Sequence, residues 1–252
     1  MDLDRSVSVT IDVDWAPDFA IRDTAELLVA AGVPATWFVT HLSPAIEDLR
    51  KHPQLFELGI HPNFRPGSSH GKSEDDVLRH CMDLVPDAVS LRTHSLVWSS
   101  PLLTNLVATT PIRVDSSLFL PRRPWLRPFT HQAGGNVLYR VPIFFSDDYE
   151  FAHPQPLWDI AELTRADVGP RVFTFHPIHV FLNSADDTAY SALKTAHPDL
   201  VKAGLAAARS YVREGVGTQS VFRALLERFA DRGVTLRHLW EAGGEPVIAS
   251  TQ

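Results

Sequence analysis

Asp12 and Asp14 close the apolar run Val9–Trp15 (VTIDVDW), one residue apart. In a strand, side chains at i and i+2 share a face, so the two carboxylates are expected side by side. Two carboxylates so placed cannot both stay ionised cheaply. A cation between them, or a division into base and ligand, relieves the repulsion; the plainer alternative is a capping or loop-anchoring role near a strand end. Arg92 and His94, in Ser90–Leu96 (SLRTHSL), repeat the same spacing. An arginine aimed at a carboxylate fixes its orientation and lowers its pKa, and His94 is then a candidate metal ligand. His61 follows Leu55–Ile60 and precedes Pro62, and imidazole suits zinc and other transition metals. His176 ends Val172–Phe175 just before Pro177; an unperturbed histidine titrates near neutrality and can protonate a leaving amine.

Other polar residues compete or assist. His70, after the loop Pro66–Ser69, is near enough in sequence to replace His94 as a ligand, although a surface-loop histidine is its simpler reading. Asp115, ending Ile112–Ser116, is expected to orient a histidine, and His179 either assists His176 or is structural. Asp147 and Asp148 read as solvent-facing turn residues, and His52, His80, His197 and His238 carry no assigned chemistry.

These residues need a scaffold that brings strand ends together. Val7–Val13, Ala35–Val39, Phe56–His61, Ala88–Arg92, Ile112–Val114, Val137–Phe145, Arg171–His176 and Gly233–Leu236 read as strands. Helical patterns separate several of them: Asp18–Ala31 with Gly32 past its end, a short helix opened by Ser43-Pro44, one capped by Ser73, then Ser99–Ala108, Leu157–Leu163 and Thr218–Asp231. Strands alternating with helices imply a parallel α/β sheet, here a distorted (β/α) TIM-like barrel of about seven parallel strands. In such a barrel the C-terminal strand ends converge on one face. The Pro/Arg-rich stretch Leu120–Gly135 reads as one long loop on that face. With no linker-like boundary, residues 1–252 read as a single catalytic domain.

Composition narrows the function class. The 252 residues are 44% hydrophobic and 21% charged, with a net charge of −7. That balance, without any Lys/Arg-rich run, argues against a nucleic-acid partner. The one cysteine, Cys81, excludes an intrachain disulfide framework and a thiolate zinc site. No signal-peptide pattern or membrane span is evident, which makes the cytoplasm the expected location. Oligomeric state is not readable from the chain.

The ordered set Asp12/Asp14, His61, Arg92, Asp115 and His176 resembles the polysaccharide deacetylase (NodB-homology, carbohydrate esterase 4-like) family. The segments TIDVDWAPD, ELGIHPNF, LRTHSL and FHPIHVFLN are similar to a bacterial branch associated with surface-polysaccharide gene clusters. The resemblance covers roughly residues 7–183 and implies a divalent metal, usually zinc, held by one Asp and two His. It also implies an Asp base and a His acid that together remove an acyl group, acetyl or formyl, from the nitrogen of an amino sugar or saccharide precursor. By order Asp12 matches the base and Asp14 the metal ligand, with the reverse assignment open. The family's second motif carries a further His where this chain has Arg65, and its third carries Pro where this chain has His94. The resemblance therefore favours Asp14, His61 and His94 as ligands, with Asp12, Arg92 and His176 catalytic.

Three alternatives stand beside this reading: a metal-free C–N hydrolase of the same fold acting on a non-sugar amide, a magnesium-dependent phosphatase with Asp12 as nucleophile, and an inactive barrel that binds sugar through Trp15, Trp98, Trp125, Phe144, Phe145 and Trp158.

Overall fold

The structure, a computed structural model, describes residues 3–243 except 124, 126, 134 and 166–169. Its strands are β1 (Val7–Asp12), β2 (Ala35–Val39), β3 (Phe56–Ile60), β4 (Ser90–Leu91), β5 (Val114–Asp115), β6 (Phe129–Ala133), β7 (Asn136–Arg140), β8 (Ile143–Ser146) and β9 (Arg171–Phe175). Its helices are α1 (Asp18–Ala31), α2 (Pro44–Leu49), α3 (Glu74–Leu84), α4 (Ser100–Thr109), α5 (Asp147–Ala152), α6 (Ile160–Leu163), α7 (Pro177–Leu182), α8 (Thr188–Ala196), α9 (Leu205–Arg209), α10 (Thr218–Phe229) and α11 (Leu236–Gly243).

The strands form one nine-stranded sheet in the order β6-β7-β5-β4-β3-β2-β1-β9-β8. Every pairing is parallel except β6 with β7. The sheet curls into the expected distorted barrel. Its two flanks meet where residues 118–122, beyond β5, bond to β8: Ile143 N–H donates to Leu118 O (2.8 Å), Leu120 N–H to Ile143 O (3.0 Å) and Arg122 N–H to Phe144 O (2.9 Å).

Period-two alternation assigns the faces. On β1, Val7, Val9 and Ile11 join the core cluster that includes Ile21 and Leu28 of α1 and Phe222 of α10. The alternate residue Thr10 bonds Thr174 of β9, 3.1 Å between hydroxyls. The barrel's lower end is plugged by α11, where Leu236 N–H donates to Thr36 Oγ1 and Arg237 N–H to the buried Glu57, both at 2.9 Å. Phe38, Val114 and Val172 pack with Leu236 and Leu239. Polar residues therefore fill the other end, under the C-terminal strand tips.

Local signals hold closely. Gly32 ends α1 at φ 65, the left-handed conformation that suits glycine. Ser73 caps α3 in a reciprocal box with Asp76. Three expectations need correcting. Val137–Phe145 is not one strand: Pro142 has no N–H to donate, and the chain breaks there into β7, paired to β5, and β8, paired to β9. Leu120–Gly135 is not one long loop, because Phe129–Ala133 forms β6, an edge strand antiparallel to β7. Gly233–Leu236 makes only an isolated bridge from Gly233 to Val7 before α11 begins. No helix among the described residues is long and apolar enough to cross a membrane.

Candidate active site

β1 ends at Asp12, so strand parity is not what brings Asp14 beside it. The chain leaves β1 through two consecutive left-handed residues, Asp14 (φ 43) and Trp15 (φ 52), anchored by Trp15 N–H donating to Thr40 Oγ1 at 3.0 Å. Non-glycine residues in this region cost of order 1–3 kcal/mol each, which the surrounding bonds must offset. The turn swings the Asp14 carboxylate over the barrel mouth. A second left-handed pair, Ser95 (φ 57) and Leu96 (φ 54), follows His94 beyond the end of β4.

Between these two turns the side chains converge. Asp14 Oδ1 lies 3.0 Å from His61 Nε2 and 3.0 Å from His94 Nδ1. His61 is set by its backbone, whose N–H donates to Val39 O, and by its Nδ1–H, which donates to Arg92 O at 2.7 Å. That bond occupies Nδ1 and leaves Nε2 facing Asp14, a donor to the carboxylate when protonated and a lone-pair ligand when a cation takes the proton's place. His94 is held by its N–H on Pro62 O (2.9 Å) and by the edge of Trp15, 5.4 Å between centroids. Burial would raise the Asp14 carboxyl, but hydrogen bonds to His61 and His94 and the charges of His61 and His176 hold it well below the usual carboxylate range.

Asp12 takes a different partner. Arg92, fully buried, donates from one guanidinium nitrogen to Asp12 Oδ1 (2.8 Å) and Thr10 Oγ1 (2.9 Å), and from the others to Ser116 O and Ser116 Oγ. Its Cζ also lies over the Phe38 ring, 4.6 Å from the centroid. A buried charge held by this many bonds orients its carboxylate firmly. Asp12 Oδ2 is 4.0 Å from His61 Nε2.

On the opposite wall His176 lies with Nε2 3.7 Å from Asp14 Oδ2. Asp147 holds it twice: His176 N–H donates to Oδ2 (2.9 Å) and Nδ1–H to Oδ1 (2.7 Å). Burial works against an imidazolium, but Asp147, with Asp148 and Asp14 nearby, raises the His176 pKa well above the ordinary histidine value.

The structure thus brings Asp12, Asp14, His61, Arg92, His94 and His176 to one mouth. It leaves out two candidates and adds one. His70 donates from Nε2 to Thr40 O (2.9 Å) and accepts at Nδ1 from Asn63 N–H (3.2 Å), so both its nitrogens are engaged away from Asp14. Asp115 orients no histidine: it pairs with Arg140 Nε (2.7 Å) and accepts from Ser117 N–H. Asp147 is fully buried against His176 rather than facing solvent. Sequence reasoning missed it, since two aspartates after an apolar run look like a turn. The available signal was that Ser146-Asp147 follows a strand and opens a helix, as the other site residues follow strands.

Asp14, His61 and His94 present ligand atoms within 4.8 Å of one another. One carboxylate and two imidazoles, without thiolate, fit a zinc-type divalent cation with an open position. The cleft around them, about 300 Å³, is lined by Asp12, Thr93, Leu96, Phe119, Tyr149 and Thr174 among others. A larger cavity of about 540 Å³ opens at the far end of the barrel beside Arg50, Glu57 and Arg237, away from the convergent acids and histidines.

A family model described as WbmS-like polysaccharide deacetylase matches residues 9–194. A solved structure from Bordetella bronchiseptica, assigned as a polysaccharide deacetylase involved in O-antigen biosynthesis, is 33% identical, with coverage of 89% of this chain and 91% of that one and a TM-score of 0.78. A mutant of the peptidoglycan deacetylase PdaC from Bacillus subtilis is 11% identical over 94% of this chain and 91% of that one, TM-score 0.50, a likeness of fold. A family 4 acetyl xylan esterase from Clostridium thermocellum, in complex with a cobalt ion, is 17% identical over 95% and 92% of the two chains, TM-score 0.47. No curated protein matches.

Proposed function

The chain belongs to the WbmS-like polysaccharide deacetylase family, and from that membership we propose that it is a metal-dependent hydrolase removing an N-acyl group, acetyl or formyl, from an amino sugar or saccharide precursor. The observation that carries the reading is the pair of 3.0 Å approaches of His61 Nε2 and His94 Nδ1 to one oxygen of Asp14, flanked by Asp12 on Arg92 and by His176 on Asp147. The Bordetella neighbour's assignment to O-antigen biosynthesis supports a surface-polysaccharide sugar as the substrate class.

Asp14, His61 and His94 would hold the cation. When bound, a divalent ion supplies Lewis-acid polarisation of an acyl oxygen and acidifies water. Asp12 accepts the proton of the attacking water; its bond to Arg92 keeps one oxygen occupied and aims the other into the cleft. His176 delivers a proton from Nε2 to the departing nitrogen, and Asp147 keeps that ring oriented and charged beforehand. Arg92 acts through Asp12 and is a positioning residue.

The test is release of acetate or formate from a panel of N-acylhexosamines, free and in oligosaccharides, by protein whose metal content has been measured. Turnover that requires about one equivalent of metal is expected. Metal-replete, folded protein that hydrolyses no member of the panel overturns the proposal.

A further inference from the structure

His179 is a buried histidine that none of these steps uses. It lies in α7 three residues beyond His176, its ring 4.7 Å from Phe151 and 4.8 Å from Tyr190, both edge-on. Nδ1 is 3.1 Å from Ser184 Oγ. Nε2 has no partner among the described residues, and the side chain lines a second cavity of about 360 Å³. Burial, reinforced by the nearby His176, pushes the His179 pKa well below the ordinary value, so the ring stays neutral and, with Nδ1 engaged, keeps one hydrogen-bonding nitrogen for the cavity.

The second cavity is not remote from the chemistry. It shares Asp14, Asp148 and His176 with the catalytic cleft, while Asp12 lines only the first. The two spaces meet at the acid. A group that protonates a leaving nitrogen must touch that nitrogen, so what the nitrogen carries extends from His176, on the side away from the base. The walls suit a hydroxylated ring: the aromatic surfaces of Phe151 and Tyr190, the carboxylates of Asp148 and Asp187, and the imidazole of His179. Its volume falls within the range of about 300–1,000 Å³ typical of small-ligand sites.

We propose that this second cavity seats the amino sugar bearing the scissile amide, with Nε2 of His179 hydrogen-bonded to one of its hydroxyls and Tyr190 against its ring. The assignment rests on the N-deacylase reading for the identity of the ligand, and His179 becomes a specificity-determining residue. A site built to bond a hydroxyl discriminates against analogues that lack it, because its own polar group is then left unpaired.

The experiment is direct binding of D-glucosamine, D-galactosamine and D-mannosamine to metal-loaded protein, followed by NMR, beside hydrolysis of their N-acetyl forms. At least one hexosamine is expected to bind the wild type, His179→Phe to weaken it by about tenfold, and Tyr190→Ala to weaken it less. His179→Gln, which restores a donor and an acceptor, should recover part of the affinity and guards against a folding defect in the Phe variant. KM for the matching N-acetyl sugar should rise in His179→Phe more than kcat falls. A deoxy sugar lacking the bonded hydroxyl should lose affinity for the wild type but lose nothing further in His179→Phe. Unchanged binding in a folded His179→Phe variant, or binding of none of the three sugars at millimolar concentration, overturns the assignment even if hydrolysis proceeds. Binding that depends on His179 without hydrolysis of any N-acyl sugar keeps the subsite and overturns the deacylase reading instead.

Discussion

The Asp14–His61–His94 and Asp147–Asp148–His176 clusters are built from the same two residue types and arrange them in opposite ways. In the first, two imidazoles converge on one carboxylate oxygen at the barrel mouth, and the far nitrogen of His61 is tied to a backbone carbonyl. Ring nitrogens are gathered on one oxygen, and their hydrogen bonds and charge hold the carboxyl low against its burial. In the second, a fully buried carboxylate grips a single residue through both its backbone N–H and its ring N–H. Here a proton is fixed, and the histidine is held high. On the proposed function, what separates a cation cradle from a proton store is therefore the number of nitrogens aimed at the carboxylate and the dryness of its surroundings, rather than composition.

That contrast can be broken most forcefully at its centre. Asp14→Asn should reduce bound metal from about one equivalent to nearly none and abolish turnover, whereas His176→Ala should keep the metal and lower kcat by about 10²–10⁴-fold. Elemental analysis after dialysis separates the two, and metal loss in His176→Ala would erase the distinction. A smaller effect is expected from Asp147→Asn, with metal retained and kcat reduced. Because Asp147 raises the His176 pKa, removing its charge lowers that pKa, and the alkaline limb of the pH–rate profile should move to lower pH. The same sign governs stability. A histidine whose folded pKa is raised contributes stability that is present below its unfolded value near 6.5 and lost as pH rises through the folded one. The stability gap between wild type and Asp147→Asn should therefore be widest at mildly acidic pH and narrow as pH rises. An alkaline limb that stays in place would remove Asp147 from the proton store. The smallest change is expected at His70→Ala: a stability loss of about 1–3 kcal/mol from unpairing Thr40 O and Asn63 N–H, with metal content intact. Loss of metal there would enlarge the first cluster.

Sequence legibility followed the range of the forces involved. Gly32, Ser73 and the apolar runs ending at Asp12, Ile60 and Phe175 act through near neighbours, so their elements could be read directly. β6 could not be read: FTHQA is polar and carries no strand alternation, and it is extended because β7 supplies its partners. Of the site, the residues at strand ends were visible as types. Their geometry was not, since Asp14 and His94 sit outside the strands, beside left-handed turns that no spacing rule announces. Asp147 escaped because its burial comes from β8 lying against β9, twenty-five residues further along the chain from Ser146 to Arg171.

The seam between residues 118–122 and β8 has a bearing on how the barrel breathes. At the centre of the sheet the parallel ladders run long through a strand buried on both faces, β1 between β2 and β9. At the seam the cylinder is zipped by a few amides around Leu120, Arg122 and Ile143, beside a proline that cannot donate. Segments with few ladder bonds open at lower free energy than core strands. Amide exchange at those residues should run ahead of exchange at Thr10 or Thr36. Since Phe119 and Ile143 line the cleft around Asp12, Asp14 and His176, unzipping the seam is also the motion that would dilate its wall.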